Sequence, residues 1–140
     1  MMTKRPEIQI VERFALALDG EDYAGALGEL DPGCVYSIRG KTINGAEAVI
    51  ASYQGNGDAA QQFDSIAYGS AVRDGRGDPR KGWIVIEFWD EITHRGRVHR
   101  HQCEQWVRVV DGVIVEIEHR DLEGEVEELK SFKRWCFGKE

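Results

Sequence analysis

Apolar residues recur at helical spacing across residues 6–18, where Ile8, Val11, Phe14, Ala15 and Leu18 share one face. Pro6 stands near the start of this run and Gly20 just past its end, so an amphipathic helix is predicted. A shorter helix is predicted across 21–30, closed by Asp31-Pro32-Gly33, and "CVYSIR" then reads as a strand. Asn44 with Glu47 three residues on has the pattern of a capping box for a third helix, after which "NGDAAQQ" reads as a loop. From "QFDSIAYGSAVR" onward the period drops to two. "WIVIEFWDEIT" and "RVHRHQCEQWVRVV" flank Arg95-Gly96, Asp111-Gly112 leads into "VIVEIEHRDL", and a last helix is predicted over "EVEELKSFKRW". Helices first and an antiparallel meander afterwards predict an α+β domain.

Composition narrows the picture. With 140 residues, 41% of them hydrophobic, the chain has the size of one domain with a proper core, taken as 1–140. The net charge of −7 opposes nucleic-acid binding, which wants a basic footprint. Three widely spaced cysteines without a C-x-x-C fit a reducing compartment. "MMTKRPEIQI" has no apolar signal-peptide run and no segment reaches membrane-spanning length, so a cytoplasmic protein off the membrane is expected.

The phrases "VERFALALDGEDYAGALGEL", "INGAEAVIASY" and "VRVVDGVIVEIEHRD", in this order over residues 7–122, resemble the nuclear transport factor 2-like superfamily, and within it the SnoaL-like (polyketide cyclase-like) group. The resemblance implies a cone, in which a strongly curved sheet wraps the N-terminal helices around a cavity. It also implies a small organic ligand, no cofactor and a homodimer through the outer sheet face. Relatives include isomerases, cyclases, dehydratases, epoxide hydrolases and domains that only bind or dimerise, so the fold implies a pocket without naming a reaction.

Alternation assigns side chains to that pocket. A two-residue turn at Arg95-Gly96 pairs Ile92 with His99, Asp90 with His101, Phe88 with Cys103 and Ile86 with Gln105. A three-residue turn around Gly112 would pair Gln105 with Ile117, Cys103 with His119 and His101 with Asp121. A two-residue turn would instead bring Glu118 and Arg120 inward. On the longer turn, one end of the face is apolar and the other carries Asp90, His101, His119 and Asp121. The opposite face bears Trp83, Trp89 and Trp106 among charges.

The H-x-H pair His99 and His101 raises the question of a metal, but the cupin barrel that uses such a pair spaces its glycine and glutamate more widely than Gly96 and Glu104 stand here. No metal is expected. An imidazole titrating near about 6.5 suits proton transfer. The catalytic set expected is His101 as base, Asp90 as its orienter, and His119 and Asp121 in support. Tyr36, Tyr53, Phe14, Phe88, Cys103, Gln105, Ile117 and His99 are expected around the substrate. The competing expectation is a non-catalytic ligand-binding or dimerisation module, in which Asp90–His101 and Asp121–His119 are satisfied cross-strand pairs.

Better understood relatives do not transfer whole. The oxyanion-stabilising aspartate of ketosteroid isomerases falls on Gln105, their first-helix tyrosine on Phe14 and their base near Ile38; the third-helix tyrosine matches Tyr53. The water-activating aspartate of limonene-type epoxide hydrolases falls near His119. The histidine and tyrosine of scytalone dehydratase-like enzymes fall near Gln62 and Leu18. "DGRGD" has only the look of a phosphate loop, since no helix follows it.

Overall fold

The structure, a computed structural model, describes residues 5–75 and 82–138. Most of the "DGRGDPRKG" connection therefore lies outside the described residues. Helix α1 (Pro6–Asp19) starts with the proline in its first turn and buries Ile8, Val11, Phe14, Ala15 and Leu18, the stripe read from the sequence. Helix α2 (Tyr23–Leu27) is capped by Asp22, whose carboxylate accepts the Gly25 N–H at 3.0 Å.

Strand β1 (Leu30–Ile38) begins earlier than expected. Asp31-Pro32-Gly33 is not a stop but an irregularity inside the strand, where the Asp31 carboxylate accepts the Gly33 N–H at 2.8 Å. A short strand, β2 (Lys41–Asn44), had no signal of its own beyond Arg39-Gly40. Helix α3 (Ala46–Ala60) starts at Gly45, so the capping box expected from Asn44 and Glu47 is not used. The helix also runs through most of the stretch expected as a loop. Gly57 permits this, because a Cβ there would sit 2.5 Å from the Tyr23 hydroxyl.

Strands β3 (Ser65–Asp74), β4 (Ile84–His94), β5 (Arg97–Val110) and β6 (Val113–Asp121) complete one curved, unclosed sheet in the order β2-β1-β6-β5-β4-β3. Strand β1 runs parallel to β6 and every other neighbour is antiparallel, which makes the sheet mixed. The β4–β5 ladder has the pairing read from the sequence, from His94–Arg97 to Ile84–Val107, around a turn with both Arg95 and Gly96 at positive φ.

The second hairpin differs from expectation. Its turn is two residues, Asp111 and Gly112 at φ 51° and 82°, with Val110 opposite Val113. The ladder then slips between Arg108 and Val109, which leaves one extra residue on β6. The reason lies in the side chains: Ile114 and Ile117 are both fully buried, and residues three apart reach one face of a strand only if an extra residue intervenes. The bulge restores the inward facing of His119, but against Gln105, and sets Asp121 against Cys103. The expected pairs Cys103–His119 and His101–Asp121 do not form.

The α-helices α1 to α3 pack on the concave side with Tyr36, Ile84, Ile86, Val107 and Ile117. A second cluster of Phe63, Ile92, Phe132 and Cys136 seats helix α4 (Glu125–Phe137) at the wide end. On the outer face the tryptophans are covered by the chain's own arginines, Arg100 over Trp89 at 4.8 Å and Arg120 over Trp106 at 4.6 Å. Trp89 also lies across Gly69 on β3, where a Cβ would come within 2.3 Å of the indole. No helix among the described residues is long and apolar enough to cross a membrane.

Candidate functional site

The cone encloses a cavity of about 350 Å³, within the size range of small-molecule sites. Eight of the twelve residues expected at the site line it: Tyr36, Tyr53, Phe88, Asp90, His101, Cys103, Gln105 and His119. The other four do not. Phe14 and Ile117 are fully buried in the main core, packed among residues of α1 and the sheet. His99 lies under α4, stacked on Phe132 at 5.0 Å between ring centres. Asp121 sits at the rim, where Arg39 holds it through two hydrogen bonds of 2.6 and 2.7 Å.

At the deep end, Gln105 is almost fully buried and joins three cavity residues. Its Oε1 accepts the Tyr53 hydroxyl at 2.5 Å, its Nε2 donates to the Tyr36 hydroxyl at 3.0 Å, and the same nitrogen lies 3.2 Å from His119 Nδ1. His119 Nε2 in turn lies 2.9 Å from Asp121 Oδ1. Burial lowers the His119 pKa, outweighing the hydrogen bond to Asp121 and its charge. The Tyr36 ring stacks on Tyr53 at 5.3 Å, and burial drives both phenols up, so both stay protonated at neutral pH.

The expected Asp90–His101 pair is corrected. The two residues face each other across the β4–β5 ladder, yet no hydrogen bond joins them. The carboxylate nearest His101 is Glu125 at the start of α4, 3.8 Å from Nδ1, and that oxygen already accepts the Gln102 N–H at 2.6 Å. His101 Nδ1 is buried without a hydrogen-bond partner, and burial lowers the pKa of the ring.

Asp90 is then left to itself. Its carboxyl lines the cavity without a hydrogen bond to any described residue, and burial, followed by the charge of Asp19, raises its pKa to about 6. Asp19, at the end of α1, accepts the Ser70 hydroxyl at 2.6 Å and is raised by its own burial. A carboxyl poised near neutrality is suited to both taking and returning a proton. Cys103 beside it is the reverse case: burial pushes its thiol up to about 12, which makes it a poor nucleophile.

Asp19, Arg39, Tyr68 and Lys133 also reach the cavity and were not read from the sequence. Asp19 ends a helix whose apolar stripe gives no hint of it, and Lys133 lies on the predicted last helix, where nothing in the sequence turns it toward the cavity. Tyr68 had a signal, since its parity on β3 matches that of Asp90 on β4. Among the described residues no group of three or more His, Cys, Asp or Glu side chains is arranged to hold a metal ion.

No known family's sequence profile matches the chain, and no curated protein matches it. Solved structures do. A putative polyketide cyclase from Pseudomonas putida KT2440 superposes with a TM-score of 0.64 at 13% identity, covering 89% of this chain and 98% of that one. An LEH-like epoxide hydrolase from M. tuberculosis gives 0.60 at 18% identity over 94% and 96%. TerC, co-crystallised with polyporic acid, gives 0.65 at 14% identity over 91% and 99%. An NTF2-like protein of unknown function from Exiguobacterium gives 0.64 at 12% identity over 81% and 98%. The chain has the nuclear transport factor 2-like cone fold.

Proposed function

We propose that this nuclear transport factor 2-like cone binds a small, partly apolar, oxygenated organic molecule in its cavity and moves a proton on it. The observation that carries the reading is the Asp90 carboxyl, facing the cavity with no hydrogen-bond partner among the described residues. A buried carboxyl left bare is costly to the fold, and sites that do proton transfer accept such costs. Asp90 takes the role of base expected of His101 from strand alternation. Tyr36 holds the ligand's oxygen with Tyr53 stacked behind it, and His101 stands beside Asp90 as a neutral imidazole. The similar structures support the reading by what they are described as, a putative polyketide cyclase and an LEH-like epoxide hydrolase.

A second reading, a ligand-binding module without chemistry, is favoured by a specific observation. Both ring nitrogens of His119 and all polar atoms of Gln105 are bonded to protein neighbours, as in a structural network. A homodimer through the outer sheet face belongs to either reading. The two readings separate in a thermal-shift series on wild type, Asp90→Asn and His101→Ala with small bicyclic ketones and alcohols. An enzyme of the proposed kind is stabilised by at least one compound, and Asp90→Asn retains binding but not turnover. If no compound stabilises the wild type, the cavity is not the site.

A further inference from the structure

We infer that the deep end of the cavity is a one-way hydrogen-bond donor, so that the ligand it accepts presents a carbonyl or enolate oxygen there and not an alcohol. This rests on the reading of the cavity as a ligand site. The direction is set at the Arg39 end of the network. Arg39, always a cation, donates from Nε and Nη2 to the two oxygens of Asp121, which is thereby held as an acceptor-only carboxylate. His119 Nε2, 2.9 Å from Asp121 Oδ1, must then carry the ring proton and donate it. In a neutral ring this leaves Nδ1 as an acceptor.

The polarity passes inward from there. An acceptor Nδ1 takes an N–H from the Gln105 amide; the opposite amide orientation would set its oxygen against the Nδ1 lone pair. The second N–H of Gln105 goes to the Tyr36 oxygen, and its Oε1 takes the Tyr53 proton. Every group in the chain is then committed except one. The Tyr36 hydroxyl accepts from Gln105, its own proton has no acceptor among the described residues, and the residue lines the cavity. A ligand oxygen with lone pairs completes the set. A ligand hydroxyl can accept that proton too, but its own proton then meets no acceptor in the relay, a cost that a carbonyl or enolate oxygen does not carry. Gln105, Asp121 and Arg39 are therefore positioning residues, which act through Tyr36.

Two measurements test the inference. In ¹⁵N-labelled protein, His119 should show a protonated Nε2 and an unprotonated Nδ1; a proton on Nδ1 overturns the relay whether or not anything binds. Binding of 2-tetralone and 2-tetralol, matched in size, should differ by about tenfold or more in favour of the ketone in the wild type. Gln105→Glu replaces the amide by a carboxylate that takes the protons of both tyrosines, and should bring the ratio to one or below. Tyr36→Phe should also abolish the preference while leaving the stack on Tyr53, and it serves if the first variant fails to fold. Equal or tighter binding of the alcohol to wild type, or a ketone preference that survives both substitutions, overturns the assignment. Failure of both compounds to bind wild type counts against the cavity as a ligand site, while the His119 tautomer still decides the relay.

Discussion

Replacing Asp90 with asparagine should make the protein more stable at neutral pH. The carboxyl is buried beside Asp19 with no cation or hydrogen-bond donor on it among the described residues, and its pKa rises from the ordinary 3.8 to about 6. At about 1.4 kcal/mol for each tenfold change in proton affinity, the ionised form is disfavoured in the fold by about 3 kcal/mol. The folded protein holds this proton more tightly than the unfolded chain does. Wild type therefore has the full contribution below about pH 4 and loses it as pH rises through about 6. The asparagine variant has nothing to lose. Urea unfolding of both proteins at pH 7.5 and at pH 4 isolates the effect, because the histidine contributions cancel in the difference. The expected gain is about 2–3 kcal/mol at pH 7.5 and near zero at pH 4. An equal gain at both pH values would mean that packing and not charge is responsible, and no gain at pH 7.5 would mean that the Asp90 carboxylate is not destabilised by its surroundings. A stabilised variant without activity would show stability traded for function at this position.

Burial lowers the pKa of both His101 and His119, so NMR titration should place both midpoints below the ordinary 6.5. Because the unfolded chain takes these protons first, their contribution to stability is present above pH 6.5 and is lost as pH falls toward the folded midpoints. Cys103 and Cys34, with thiols pushed to about 12 and about 11, and Cys136 in the α4 cluster should resist iodoacetamide at pH 8. Mass spectrometry should count no adduct on the native protein and three on the unfolded chain. Gly69→Ala places a methyl group where the Trp89 indole lies, and should lower stability by about 1–3 kcal/mol with a change in tryptophan fluorescence. Phe132→Ala removes the ring that His99 stacks on and should cost about 3–5 kcal/mol in unfolding experiments.

How far the site was legible in the sequence depended on how far it is built from local rules. The β4–β5 register followed from Arg95-Gly96, since a two-residue turn fixes every pair above it. The same rule failed at Asp111-Gly112, where burial of both Ile114 and Ile117 forces a bulge that no turn signal announces. That bulge is why His119 meets Gln105 and not Cys103. The inward face was still read correctly for His119, because the bulge returns the parity that the shorter turn takes away. What alternation cannot reach is contact between elements distant in sequence. Asp90 and His101 were paired by the ladder, yet whether two opposed side chains bond depends on where each rotamer points and what else approaches. Glu125 approaches His101 from α4, Asp19 approaches Asp90 from α1, and Arg39 takes Asp121 from 82 residues away. Each of those three contacts changes a role that the strand pattern had assigned.

If Asp90 moves a proton on a ligand held in the cavity, hydrogen–deuterium exchange into that ligand measures the transfer itself. In D₂O near neutral pD, wild-type protein should accelerate loss of the benzylic proton signal of 2-tetralone, with Asp90→Asn slower by about a hundredfold or more. No acceleration by the wild type, or an equal rate in Asp90→Asn, would contradict the account.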